Sequence, residues 1–241
     1  MTMLKSSENK SVHCHNCQAW KQSAFNALSE SQLDDLQINK TSFELNRGTE
    51  LNQKGNPTNG AYCIASGHAK IIWPKTDGKE SIVKIVSPGD MTGYRCLFSE
   101  DTFRATAVAL GSIKGCFIPK EHFNSLLKVD EHFNSEILKR MGNELKLAEM
   151  RLHSFCQKNV RERMAESLLL LKDFCGVKKD ERWVLDIQLT REELSSWIGT
   201  AKETVVRTLS DMKDEKVIEQ EGPHIAILNI KLLKEIAGLT D

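Results

Sequence analysis

The feature that most constrains the fold is a change in the spacing of apolar residues near residue 119. From about residue 40 to 118 the chain has short apolar runs separated by turn residues, such as "GAYCIASG" and "SIVKIV". From residue 120 to about residue 158, apolar residues instead recur three and four positions apart. Short bounded runs are typical of strands, and the longer period is typical of helices. The chain therefore combines an all-β segment with a long helical one, and its predicted class is α+β.

Local signals place further elements within and before the β segment. The Asp77-Gly78 step separates the apolar strings "AKIIWP" and "ESIVKIV". Both central positions of a tight primed turn favour residues that accept a positive φ, so this step predicts a β-hairpin. Upstream, the string "SESQLDDL" has a serine ahead of acidic residues and leucines at near-helical spacing, which predicts a short helix.

Six apolar residues of the long helix form one narrow stripe along it, because they alternate steps of three and four. We call them the seam residues: Leu138, Met141, Leu145, Ala148, Leu152 and Phe155. A narrow stripe usually faces another helix, whereas a helix packed on its own domain normally has a wider apolar face. The seam predicts a homodimer; packing on the chain's own β segment is the alternative.

The carboxy-terminal third has the element order of a winged helix-turn-helix. The string "RWVLDIQL" predicts a strand, and Thr190 with Glu193 has capping-box spacing before a short amphipathic helix. Gly199 supplies a turn, and a second amphipathic helix is predicted from about Lys202 to Glu215. The string "VIEQEGPHIAILN" then predicts a two-stranded wing.

Overall charge does not indicate a partner, because 33 lysines and arginines balance 33 aspartates and glutamates. The start "MTMLKSSENK" lacks the apolar core of a signal peptide. No stretch reaches the roughly 18 apolar residues that span a bilayer. These features predict a cytoplasmic chain without a membrane partner.

The order of these elements, together with the string "GTAKETVVRTL", resembles the CRP/FNR superfamily of bacterial transcription regulators over nearly the whole chain. The resemblance implies a cysteine-containing segment and helix at residues 1–37 and a cyclic-nucleotide-binding-like β-roll at 38–128. It further implies a dimerisation helix at 129–158 and a winged helix-turn-helix at 159–241. The implied function is sequence-specific regulation of transcription by a homodimer on pseudo-palindromic double-stranded DNA, with RNA polymerase as a further partner.

The resemblance assigns base reading to Glu203 and Arg207. Four positions apart on a helix, both side chains project from one face, where arginine can bind guanine and glutamate can accept from cytosine. The other predicted DNA-contacting residues are Arg191, Lys202, Thr204 and Lys213. The alternatives are a capping box of Glu203 on Thr200 and a surface salt bridge between Glu203 and Arg207. From residue 159 onward 13 basic residues face 16 acidic ones, which predicts modest DNA affinity that falls steeply with salt.

The string "GYRCLFSEDTFRAT" corresponds to the effector pocket of the superfamily. Members that bind cyclic AMP carry a glutamate for the ribose and an Arg-Ser pair for the phosphate. Here Tyr94 stands at the glutamate position and Ala105 at the serine position, whereas Arg104 matches the arginine. Tyr94, Arg104 and Thr106 are the candidate pocket residues, and the resemblance implies an effector other than cyclic AMP.

Seven cysteines in a chain without a secretory signal indicate reduced thiols or metal ligands rather than disulfides. The oxygen-sensing branch of the superfamily binds an iron–sulfur cluster through an amino-terminal cysteine group and one roll cysteine. Cys14, Cys17 and Cys116 match three of those ligands, and Ser23 stands where the fourth is expected. Three possibilities stay open: an iron–sulfur cluster that is completed by His13, His15 or Ser23 or is labile with an open iron, a zinc site built from Cys14, Cys17 and a histidine, and free thiols without a cofactor. The remaining cysteines are predicted to be core residues: Cys63, Cys96, Cys156 and Cys175.

Two other classes of function compete with DNA binding. A β-roll enzyme of the cupin kind needs clustered histidine and carboxylate ligands, yet the roll offers only His68. A redox or metal module that does not bind DNA leaves the helix-turn-helix unexplained. We predict no catalysis, because the sequence shows no recognisable arrangement of a nucleophile, a base and a group that orients the base.

Overall fold

A computed structural model describes residues 12–74, 80–99 and 102–239 of the 241-residue chain. The predicted Asp77-Gly78 hairpin turn lies outside the described residues. The helices are α1 (Glu30–Asn39), α2 (Tyr94–Ser99), α3 (Lys120–Val129), α4 (Glu131–Gln157), α5 (Val160–Cys175), α6 (Arg191–Ile198), α7 (Lys202–Asp214) and α8 (Ile230–Ile236). Short 3-10 turns precede them at Cys14–Asn16, Trp20–Gln22 and Ala24–Ala27.

The strands bear out the predicted class. They are β1 (Thr41–Leu45), β2 (Glu50–Asn52), β3 (Gly60–Ser66), β4 (Ala69–Pro74), β5 (Glu80–Val86), β6 (Met91–Thr92), β7 (Thr106–Ala109), β8 (Ile113–Pro119), β9 (Gly176–Lys179), β10 (Arg182–Leu185), β11 (Ile218–Glu221) and β12 (His224–Ile227). The α+β prediction of a β-roll, a long helix and a winged helix-turn-helix is confirmed.

The described residues divide into two compact units. The first comprises those up to residue 146, apart from 80–82, and the second contains 80–82 and those from 147 onward. Two four-stranded sheets form the roll, with strand orders β1-β8-β3-β6 and β2-β7-β4-β5. In the described residues, no helix is both long and apolar enough to cross a membrane.

The pairing of β3 with β8 depends on glycine. A Cβ on Gly115 of β8 would lie 2.4 Å from the carbonyl oxygen of Cys63, and one on Gly60 of β3 would lie 2.2 Å from that of Ile118. Real Cβ atoms do not approach so closely, so only glycine lets these backbones meet here. The resulting antiparallel register sets Cys63 directly opposite Cys116.

The amino-terminal segment belongs to the hydrophobic core of the first unit. Phe25 is buried and its ring stacks on Phe133 of α4, at a centroid distance of 5.5 Å. Phe133 also meets Phe123 of α3 edge to face at 5.7 Å. Aromatic pairs in these geometries add to the stabilisation from burial. Ser29 and Gln32 form the capping box that begins α1, as the string "SESQLDDL" indicates.

The long helical pattern is interrupted once, at Asp130. The backbone N–H of Asp130 donates to the carbonyl of Leu126, which ends α3. Its carboxylate accepts the backbone N–H of Phe133 at 2.6 Å, which begins α4. This hydrogen bond lowers the pKa of Asp130. One residue therefore both stops a helix and caps the next.

The second unit is built on α5 and the winged helix-turn-helix. Strands β11-β12-β10-β9 form an antiparallel sheet in that order. The guanidinium of Arg151 in α4 lies 3.7 Å from the centroid of the Trp197 ring in α6, and it donates to the Trp197 carbonyl at 2.9 Å. Burial lowers the pKa of Arg151 to about 10. The stack fixes α6 against the end of α4.

We expect Asp130→Ala to lower the free energy of unfolding by about 1 kcal/mol at neutral pH, because the first turn of α4 loses its cap. Asp130→Asn is the matched control and retains most of this stability, since asparagine caps equally well. Because the folded pKa of Asp130 is lowered, its charge-dependent contribution is present above the unfolded pKa and is lost as the pH falls through the folded pKa. Urea unfolding at neutral and acidic pH measures both effects. Equal stability of Asp130→Ala and wild type at neutral pH would contradict the cap.

Candidate functional site

The helix-turn-helix presents one face of α7 to solvent. The opposite face is buried through Val205, Thr208, Leu209 and Met212. The capping box predicted for α6 is present, because Thr190 Oγ1 accepts the N–H of Glu193 and the Glu193 carboxylate accepts that of Thr190. Gly199 ends α6 in the left-handed conformation, with a φ of 73°. These local signals fix the angle between the two helices.

Glu203 and Arg207 are exposed on the free face of α7. Helix α7 begins after Ala201, whose methyl group cannot accept a capping hydrogen bond. No capping box from Glu203 to Thr200 is formed, so that alternative is wrong. Arg207 has no ion-pair partner among the residues that the structure describes. Both side chains are therefore available to a ligand that approaches this face.

The other predicted DNA-contacting side chains lie around this face, and two of them, Lys202 and Arg191, already have partners within the protein. Lys202 pairs with Glu192 of α6, which raises the pKa of the lysine and lowers that of the glutamate. Arg191 donates to Gln220 Oε1 of the wing at 2.7 Å. Lys213 is exposed, and Thr204 is half-buried, with its carbonyl accepting the Thr208 hydroxyl at 2.8 Å. Cations that can face phosphates thus lie on both helices of the motif.

The candidate effector residues of the roll have partners inside the protein. Tyr94 is buried at the start of α2, and its hydroxyl donates to Glu144 of α4 at 2.9 Å. Lys84 Nζ and Arg95 Nε also reach the Glu144 carboxylate, at 2.6 and 3.2 Å. Burial and the Glu144 charge raise the pKa of Tyr94, so its hydroxyl remains a donor. Sequence reasoning missed Glu144, because a charged helix residue ordinarily faces water.

The two other pocket candidates lie on or beside β7. Thr106 is buried, and its hydroxyl accepts the backbone N–H of Lys54 at 3.1 Å. Arg104 has an exposed side chain. The structure therefore engages Tyr94 and Thr106 in separate intramolecular hydrogen bonds.

Four cysteines line one cavity between the amino-terminal segment and the β3–β8 pair. They are Cys14, Cys17, Cys63 and Cys116, and the cavity volume is about 30 Å³. The 3-10 turn at Cys14–Asn16 holds the first two, since the Cys17 N–H donates to the Cys14 carbonyl at 3.2 Å. Gln37 of α1 accepts the Cys14 N–H at 2.9 Å, which joins this turn to α1. The predicted trio is thus brought together, and Cys63 joins it.

Burial keeps the thiols of Cys14, Cys63 and Cys116 protonated in the absence of a metal. It raises the pKa of Cys14 to about 11, and it also raises the pKa of Cys63 and Cys116. Charge on any neighbouring thiol would raise the pKa of Cys63 further. The Lys40 ammonium acts in the opposite direction on the pKa of Cys116, because it lies 3.2 Å from Cys116 Sγ. In the described parts of the chain, no three histidine, cysteine or acidic side chains already stand in a metal-coordinating arrangement.

The cysteines predicted to be core residues differ in their surroundings. Cys175 is buried, and its thiol donates to the Leu171 carbonyl at 3.0 Å. Cys96 is half-buried. Cys156 is exposed near the end of α4, so the prediction is wrong there, because the apolar neighbours of Cys156 in the sequence do not surround it in space. Cys63 lines the thiol cavity, and only its position opposite Cys116 could have revealed this.

Comparison with known proteins agrees with both units. The profile of the family described as "Cyclic nucleotide-binding domain" matches residues 42–130, and that described as "Crp-like helix-turn-helix domain" matches residues 162–236. The chain is 27% identical to the fumarate and nitrate reduction regulatory protein of Vibrio cholerae over 230 residues, which is 95% of this chain and 92% of that protein.

Two further similarities extend this result. A CRP-like cAMP-activated global transcriptional regulator of Mycobacterium tuberculosis is 24% identical, over 84% of this chain and 91% of that protein. The solved structure of FixK2 from Bradyrhizobium japonicum superimposes with a TM-score of 0.73 at 22% identity, covering 82% of this chain and 96% of that one.

A β-roll followed by a long helix and a winged helix-turn-helix defines a class of DNA-binding regulator with a separate ligand-sensing unit. The chain belongs to the CRP/FNR family of transcription regulators, whose members bind DNA as dimers. The match to the helix-turn-helix family supports this function over a β-roll metal or redox module that does not bind DNA.

We expect isothermal titration calorimetry to detect no micromolar binding of cyclic AMP, because Tyr94 and Thr106 are already engaged within the roll. The cAMP-activated relative from Mycobacterium tuberculosis serves as the positive control under identical conditions. Saturable micromolar heat with this chain would contradict the expectation.

Proposed function

We propose that the chain is a homodimer that binds a pseudo-palindromic site in double-stranded DNA and regulates transcription in the cytoplasm through RNA polymerase. Each protomer reads a half-site with α7 in the major groove, and the half-sites lie about one helical turn apart. The protein performs this role without catalysis. The observation that carries the proposal is the exposed face of α7, where Glu203 and Arg207 project beside each other.

The proposed readout follows from the donors and acceptors on that face. Arg207 can donate two parallel hydrogen bonds to O6 and N7 of a guanine, and Glu203 can accept from the N4 amine of a cytosine. A half-site with a G·C core suits this pair. Because Arg207 has no ion-pair partner among the described residues, binding a guanine does not require an existing pair to break.

Phosphate contacts are proposed for Arg191, Lys202 and Lys213, with Thr204 beside them. Lys202 and Arg191 must first leave Glu192 and Gln220. Exposed pairs of this kind are weak, so their exchange for phosphate costs little. The acidic excess of the carboxy-terminal region still leaves few cations for the backbone, which supports modest, salt-sensitive affinity.

We expect Arg207→Ala to weaken binding to the cognate duplex by about 1–3 kcal/mol and to relax the preference at one base pair. Lys213→Ala is the matched control, and it should weaken cognate and scrambled duplexes equally because a phosphate contact carries no base information. Gel shifts with a selected palindrome at two salt concentrations measure both. Equal affinity of the wild-type chain for palindromic and scrambled DNA would contradict sequence-specific binding.

The seam residues support dimerisation through α4. Leu138, Leu145 and Leu152 are 63%, 61% and 65% exposed, and Ala148 is also exposed. Met141 is partly buried and packs against the core of its own unit. A row of exposed leucines on one helix is costly in water, and a second copy of the same helix can cover it.

We expect Leu145→Asp to convert the dimer to a monomer at micromolar concentration, because two seams would then bring carboxylates into an apolar contact. Asn143→Asp adds the same charge at an exposed position of α4 outside the seam and should leave the dimer intact. Multi-angle light scattering distinguishes the two outcomes. A monomeric wild-type chain would refute the proposed interface. A Leu145→Asp chain that stays dimeric would show that the interface lies elsewhere.

A second proposal concerns the signal: a metal-responsive site formed by Cys14, Cys17 and Cys116. The specific support is that all three thiols line one cavity although Cys116 is far along the chain from Cys14 and Cys17. Thiolates suit an iron–sulfur cluster or a zinc ion, and coordination requires each thiol to lose its proton to the solvent. Free thiols without a cofactor are the competing state, which metal analysis after anaerobic purification detects.

A further inference from the structure

We propose that Cys63 supplies the fourth thiolate of a metal centre whose other ligands are Cys14, Cys17 and Cys116. This inference deepens the proposed signal site and rests on it. The centre is either a zinc ion or an iron–sulfur cluster, since both are held by four thiolates in proteins. Cys63 would then supply the fourth thiolate, which Ser23 cannot supply.

The strand register places two of the four thiols next to each other. Cys63 of β3 is the direct antiparallel partner of Cys116 of β8. Directly opposed residues project from the same face of a sheet, with Cβ atoms about 4.5–5.5 Å apart. Two thiols at this spacing can rotate toward one metal. Gly115 makes the pairing possible, because any side chain there would meet the Cys63 carbonyl.

The 3-10 turn supplies the other half of the donor set. Cys14 and Cys17 line the same cavity as Cys63 and Cys116, from the side of the amino-terminal segment. A volume of about 30 Å³ exceeds the minimum for one water molecule, so the cavity has room for a single metal ion once the thiols turn toward it. A larger cluster requires outward movement of the short turn, which only a few backbone hydrogen bonds hold.

The alternative fourth ligands are worse placed. Neither His13 nor His15 lines the cavity, and His15 Nε2 already lies 2.8 Å from Asp34 Oδ1. Ser23 lines the cavity, but its hydroxyl donates to the Trp20 carbonyl at 2.8 Å. A neutral hydroxyl is also a poor ligand for a thiophilic metal. Cys63 is the remaining soft donor in the cavity wall.

One cation beside the cavity, Lys40, can offset negative charge on a metal centre there. Apolar side chains such as Phe25, Leu33 and Ile118 complete the wall and keep water away. Four thiolates around a divalent ion or a cluster leave negative charge behind, and Lys40 offsets it from the edge of the cavity. Coordination requires the thiols to turn inward from their present positions and Lys40 Nζ to release Cys116 Sγ.

The test compares metal retention in matched variants. Wild type, Cys63→Ala, Cys96→Ala and the double variant Cys63→Ala with Ser23→Cys are purified without oxygen. Each is analysed for iron, zinc and acid-labile sulfide, then stripped and reloaded with Zn²⁺ alone or with Fe²⁺ and sulfide. Cys96 is a half-buried roll cysteine outside the cavity, so its removal controls for the loss of a thiol.

We expect Cys63→Ala to lower metal affinity by about tenfold or more, since even indirect support of a ligand contributes that much. Cys96→Ala should bind like wild type. Ser23→Cys should restore binding to the Cys63→Ala chain, because Ser23 faces the same cavity. Circular dichroism melts identify any variant that has not folded, and the rescue excludes misfolding as the cause of metal loss.

Zinc-edge X-ray absorption of the loaded wild type gives an independent answer. Four sulfur neighbours at about 2.3 Å support the proposal. Three sulfurs with a nitrogen or oxygen, full retention by Cys63→Ala, or a wild type that holds neither metal would each overturn it. Gel shifts run in parallel separate the two proposals: a chain that binds metal through Cys63 but no palindrome contradicts only the proposed DNA binding.

Discussion

The pairing of β3 with β8 is the contact on which the β-roll depends. It joins the centre of one roll sheet, and it exists in this register only because Gly60 and Gly115 have no side chains. The same register faces Cys63 with Cys116 and offers an apolar surface to the amino-terminal segment. A shift of either strand by one residue would place the two thiols on opposite faces of the sheet. Fold and candidate metal site therefore share one constraint.

A network of polar contacts around Glu144 joins α4 to the roll. The Glu144 carboxylate accepts from Tyr94 and from the cations of Lys84 and Arg95, at a position that is largely shielded from water. Removing one partner of such a network leaves others unsatisfied, which is costly. Glu144 therefore joins the roll to the helix that bears the seam residues.

Sequence reasoning succeeds here where structure follows from neighbours along the chain. The capping box of Thr190 and Glu193 and the turn at Gly199 involve residues within one or two helical turns of each other. It fails where surroundings depend on distant strands. The apolar string around Cys156 does not bury it, and the polar character of Glu144 does not reveal its three donors. Neither outcome is encoded in the local spacing.

The sequence by itself determined the α+β class, the winged helix-turn-helix and the exposed pair on α7, because periodicity and capping act over a few residues. It also indicated that Cys14, Cys17 and Cys116 belong together, through resemblance. Only the tertiary structure decided that Cys63 lies among them and that Tyr94 is engaged by α4. The physical reason is that strand register and helix docking bring together residues that are far apart in the chain.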